Sequence, residues 1–167
     1  MKMSCAKIEK VLTNGSLSMR ETAERLRDVE GLEECVETGL RDSFSAGDWT
    51  RFYWYVLAVA FAQRDSYVPI LVEALDKARE EPYIHPAGVA SALSTLASPD
   101  SVDALARAID WRSKRFADCD VAMEAMEALL HIDTPESMAV IASLVDDDRI
   151  QVRELAQDVV ANPGKYW

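Results

Sequence analysis

Residues 98–110 read SPDSVDALARAID, and residues 134–146 return the same design as TPESMAVIASLVD. This return decides the fold. Ser98 and Thr134 each offer a hydroxyl to cap a helix, Pro99 and Pro135 suit the first helical position, and Asp100 and Glu136 face the positive helix end. Each run then alternates apolar and polar residues at helical spacing and closes on an aspartate, Asp110 or Asp146. An earlier copy, VPILVEALD at 68–76, aligns with residues 102–110 and 138–146 at successive offsets of 34 and 36. Second helices are predicted between these, at about 86–97, 119–132 and 149–161. Val89, Leu93 and Leu96 correspond there to Ala125, Leu129 and Ile132. A two-helix unit repeating at this period buries its faces only by stacking on its neighbours, so the expected class is all-α, a right-handed α-α solenoid.

Upstream of the repeats lies DWTRFYWYVLAVAFA, residues 48–62, which has no polar face. Trp49, Phe52, Tyr53, Val56 and Ala60 fall on one side of a helix, and Trp54, Leu57 and Phe61 on the other, so both sides require cover. The apolar run is only 11 residues long, short of the roughly 20 that span a bilayer. It is expected to be the second helix of a degenerate leading unit. Three helices precede it: a short one with Ile8, Val11 and Leu12, one opened by the capping box Ser18/Glu21 and stopped by Gly31, and one burying Leu32, Cys35, Val36, Gly39 and Leu40. Gly47-Asp48 supplies the turn and N-cap into the apolar helix. One domain over 1–167 is expected, with a cap and degenerate repeat at 1–64, repeats at 65–98, 99–133 and 134–162, and a tail at 163–167.

The chain of 167 residues carries 18 basic and 29 acidic side chains, a formal charge of -11. Such a surface repels phosphate backbones and attracts basic partners, which argues against nucleic acid as ligand. Cys5, Cys35 and Cys119 are odd in number, widely spaced and without a CxxC pair, so reduced core thiols are expected. The start, MKMSCAKIEKV, has no continuous apolar core of a signal peptide, so the expected compartment is cytoplasmic, with no membrane association.

The pattern Pro69-x-Leu71-x-x-x-Leu75-Asp76, and the closing run 144–156, LVDDDRIQVRELA with Val152-Arg153, resemble HEAT repeats of the short type found in phycobilin lyases. The resemblance covers about 66–162 and implies stacked helix pairs whose second helices line a concave face. It implies little about activity. Two departures stand out. The Val-Arg pair is replaced by Val89-Ala90 and Val121-Ala122 in the earlier units, so the family's aspartate-to-arginine ladder is not carried back to Asp76 and Asp110. The connections 78–85 and 111–118 exceed the family's usual tight turn, and an added loop edge is a common place for function.

Little in the sequence points to catalysis. His85 and His131 are 46 residues apart and neither sits in a ligand-spaced cluster, so both are expected as surface or cap residues. The six glycines form no phosphate-binding frame, and Asp146-Asp147-Asp148 lacks the spacing of a calcium loop. No metal or cofactor is expected. The basic and aromatic run Trp111 to Phe116, with Arg112, Lys114 and Arg115, reads as an inter-helix loop or as a grip for an acidic ligand.

Projecting the repeat places Gly88, Ser91 and Thr95 beside Glu124, Glu127 and His131, continued by Glu154, Gln157 and Asp158. The same offset reaches Trp54, Leu57 and Phe61, which either look into this groove or are covered by the N-terminal helices. The partner-binding residues expected are therefore Trp54, Phe61, Ser91, Thr95, Glu124, Glu127, His131, Glu154 and Asp158. An acidic groove with an aromatic end suits a basic protein. The expectation is a non-enzymatic protein-binding module, which resembles, in size, charge and architecture, bacterial immunity proteins that neutralise basic toxins. A scaffold or regulatory adaptor would use the same face. The family resemblance also includes enzymes, DNA glycosylases and tetrapyrrole lyases, which would need a carboxylate-bearing pocket near Trp54 or Trp111. Oligomeric state is not legible in the sequence.

Overall fold

The computed structural model describes residues 3–112, 120–162 and 164–166. Among these the chain forms ten α-helices and no β-strand element: α1 (Cys5–Leu12), α2 (Met19–Leu26), α3 (Leu32–Ala46), α4 (Trp49–Ala58), α5 (Val68–Lys77), α6 (Pro86–Leu96), α7 (Val102–Ile109), α8 (Asp120–Ile132), α9 (Pro135–Ala142) and α10 (Ile150–Ala161). No helix among the described residues is long and apolar enough to cross a membrane.

The starts follow the sequence chemistry. Ser18 and Glu21 close a capping box on α2, and Thr134 and Ser137 close one on α9. Asp48 accepts the Arg51 amide at the head of α4, and Pro69, Pro86 and Pro135 occupy first-turn positions. At Ser98 the structure differs in detail. A 3-10 turn, Pro99–Ser101, precedes α7, and the buried Ser101 hydroxyl donates to the Ser98 carbonyl at 2.7 Å. At the end of α2 the helix stops at Leu26, before Gly31. Asp28 turns left-handed at φ 58, and Gly31, at φ 84, starts α3 instead of ending α2.

Successive helices pair as α3 with α4, α5 with α6, α7 with α8 and α9 with α10. The odd helices also touch from α3 to α5 to α7 to α9, and the even ones from α4 to α6 to α8 to α10. One continuous core runs through these layers, including Leu40, Phe52, Leu71, Leu93, Leu105, Met126, Leu129, Ile141 and Val152. Helices α3 and α4 meet closely because Gly39 has no side chain. A Cβ there would lie 2.2 Å from the buried Tyr55 ring.

Two polar features join layers in ways the sequence reading did not carry. Asp76 at the end of α5 accepts Nε and Nη2 of Arg107 on α7 at 3.1 and 2.7 Å, so an aspartate-to-arginine link exists between these units although no Val-Arg pair supplies it. In the last unit the buried Arg149 guanidinium grips Asp147 and donates to the Ile109 carbonyl at 2.8 Å, tying the α9–α10 turn to the end of α7. Cys5 and Cys35 correct the expectation of reduced thiols. They form a disulfide, because α1 packs against α3 and brings the two Cα atoms to 5.3 Å. Cys119, Lys114, Arg115 and Phe116 lie outside the described residues. Arg112, just before them, pairs with Asp148 at 2.7 Å.

Candidate functional site

The even-numbered helices build a groove along one face. Tyr53 and Leu57 of α4, Ala60 just after it, Gly88, Ser91 and Thr95 of α6, and Glu124 of α8 line a depression of about 350 Å³ together with Met19 and His85. Glu124 also borders a neighbouring depression of about 350 Å³ whose other walls are Met123, Glu127, Leu130, His131, Leu155 and Tyr166. Toward the N-terminus, Met19 and Leu57 are shared with a smaller cavity of about 130 Å³ that contains Trp54 and Phe61. The first two depressions adjoin at Glu124, and the smaller cavity adjoins the first at Met19 and Leu57.

Local chemistry fixes its floor. His85 caps α6, with the Gly88 amide donating to His85 Nδ1 at 3.0 Å, and Tyr53 leans on the imidazole with centroids 5.5 Å apart. Gly88 makes room for this, since a Cβ would fall 2.9 Å from the Tyr53 ring. Further along, the nearly buried Ser94 hydroxyl and His131 Nδ1 share a 2.6 Å hydrogen bond that joins α6 to α8. The Ser94 oxygen is thus spent on holding two helices together. Among the described residues no group of three His, Cys, Asp or Glu side chains is placed to hold a metal ion.

Several acids away from the groove pair with bases: Glu9 with Arg51, Glu33, Glu34 and Glu37 with Arg64, Asp76 with Arg107, Asp147 with Arg149, and Asp148 with Arg112. The Arg51 guanidinium, by hydrogen bonding Glu9, holds that carboxyl below its ordinary range against the opposing effect of burial. In the groove, Glu124 and Glu127, with Glu154 exposed on α10, form no ion pair with any described cation. Asp158 alone is engaged, by the segment that follows α10. Lys165 and Tyr166 both donate to it and lower its pKa, with Lys165 the larger cause.

Of the residues expected to bind, Ser91, Thr95 and Glu124 share the central depression, Glu127 and His131 share the next, and Asp158 reaches it through Tyr166. Glu154 lines neither depression. Trp54 and Phe61 do not share a wall with Ser91 and Thr95. They lie half-buried beneath the N-terminal helices, against Leu12, Leu17 and Thr22, which is the covered arrangement. Their places in the groove are taken by Tyr53 and Ala60, one residue earlier. The sequence reading also missed Met19, His85 and Tyr166. Only the approach of distant helices, or the return of the chain after α10, brings these to the face.

Comparison with protein-family models and with curated proteins yields no match for this chain.

Proposed function

We propose that this chain is a non-enzymatic protein-binding module, a right-handed α-α solenoid of HEAT-like helix pairs whose even-numbered helices receive a basic protein partner. The observation that carries this reading is the placing of two carboxylates among aromatic and aliphatic walls. Glu124 and Glu127 form no ion pair with a described cation, and the depressions they line also hold Tyr53, Leu57 and Met123. Unpaired carboxylates speed the encounter with a cation-rich surface, while adjacent aromatic and aliphatic walls supply short-range affinity. One form of this partner is a basic nuclease-type toxin, which would make the chain its immunity protein. A gene lying directly downstream of such a toxin distinguishes that form from a cellular adaptor.

The test is parallel capture from the native host with wild-type protein and with the Glu124→Lys/Glu127→Lys variant as bait. The reading expects a basic protein that wild type retains and the variant loses. Equal retention of every captured protein contradicts it, as does stabilisation by a small molecule with no protein retained.

A further inference from the structure

After α10 the chain turns back onto the groove. Asn162 donates through Nδ2 to the Asp158 carbonyl and carboxylate at 3.2 and 2.9 Å, and the Lys165 amide donates to the Asn162 carbonyl at 3.0 Å. This return delivers two side chains to a single carboxylate. Lys165 Nζ reaches Asp158 Oδ2 at 2.5 Å, and the Tyr166 hydroxyl donates to the same oxygen. The ammonium also lies 5.3 Å from the Tyr166 ring centroid, within cation–π range. The ring itself forms a wall of the depression bordered by Met123, Leu130 and Leu155.

Asp158 and this apolar notch thus already hold a cation and an aromatic ring side by side. That is the ligand chemistry the acidic groove calls for, supplied from within the chain. From this, resting on the groove-binding reading above, we infer that Asp158 with Met123, Leu130 and Leu155 is a subsite for a lysine–aromatic pair of the partner. Lys165 and Tyr166 occupy it in cis, and the partner enters by displacing them. A tethered competitor acts at a local concentration of the order of millimolar, so it weakens an incoming segment in proportion to its own occupancy. The segment therefore filters partners. Those that bring both the cation and the ring displace it, whereas weakly basic proteins do not.

The probe is an end-blocked peptide of sequence NPGKYW, titrated by amide NMR into full-length protein. The Lys165→Ala/Tyr166→Ala variant vacates the subsite. The Lys165→Glu variant opens it by repulsion while keeping the aromatic ring, and serves if the double variant unfolds. The expected result is saturable binding to the vacated protein with shifts centred on Met123, Leu155 and Asp158, roughly tenfold weaker binding to wild type, and loss of binding when Asp158→Ala is added or when the peptide lysine becomes glutamate. Equal affinity for wild type and vacated protein overturns the inference, as do shifts centred elsewhere or no binding to either vacated variant. Failure here while Glu124→Lys/Glu127→Lys still releases the captured partner leaves the groove reading standing and removes only the subsite. Peptide binding at Asp158 alongside a partner indifferent to Glu124 and Glu127 does the reverse.

Discussion

Asp147 and Arg149 show how a single pair can hold a unit in place. Their side chains are only 9% and 6% exposed, and the guanidinium also serves the Ile109 carbonyl across the layer boundary. Hydrogen bonding from Arg149 holds the Asp147 carboxyl well below the usual range, against the opposing effect of burial. A depressed folded-state pKa contributes stability that is complete above the unfolded value, near 4, and is lost as pH falls from there toward the folded value. Acid denaturation followed by circular dichroism should therefore show Asp147→Asn less stable at neutral pH and flatter than wild type below about pH 4. Arg149→Ala leaves a buried carboxylate without its guanidinium and should cost about 3–5 kcal/mol in urea unfolding. At Gly39 the sign runs against local propensity. Alanine is favoured in a helix interior by about 1 kcal/mol, yet its Cβ would enter the Tyr55 ring. Gly39→Ala should be net destabilising by roughly 1–3 kcal/mol, and a neutral result would mean that α3 and α4 separate more easily than their contact implies.

At the scale of elements, helix existence was legible wherever period and caps agreed. The capping boxes at Ser18 and Thr134 are examples, whereas at Ser98 the hydroxyl makes no cap and a 3-10 turn comes before the helix. Helix phase was not legible in α4. A helix apolar on every side gives no signal for which residue faces which neighbour, so the sequence left open whether Trp54 and Phe61 face the groove or the N-terminal helices, and Tyr53 and Ala60 line the depression instead. The end of α4 adds to this. The amides of Val59, Ala60 and Phe61 bond three residues back, to Val56, Leu57 and Ala58, and this tighter winding alters the direction in which Phe61 projects. The disulfide was illegible for a different reason, since nothing local links two cysteines 30 residues apart. It pins α1, whose Leu12 lines the cavity holding Trp54, to α3. Reduction of Cys5–Cys35 should lower stability by about 3–4 kcal/mol on loop-closure entropy. The difference between denaturant midpoints with and without reductant, each multiplied by its slope, checks that value.

Over the whole molecule, the formal charge of -11 was readable from composition, but its location was not. Which acids are neutralised depends on pairs such as Asp76 with Arg107 and Glu9 with Arg51, whose members are 31 and 42 residues apart. Of the residues the repeat offset aligned, Ser91, Thr95 and Glu124 line one depression and Glu124, Glu127 and His131 the adjoining one. The offset could not foresee that the chain would return after α10 to engage Asp158. The central claim concerns what the uncompensated carboxylates do, and association kinetics address it most directly. With the captured basic partner, stopped-flow association should slow steeply as salt rises for wild type. At low salt the Glu124→Lys/Glu127→Lys variant should associate about tenfold more slowly and show a flatter salt dependence. Association rates and affinity that are the same for both proteins across the salt series would contradict the account.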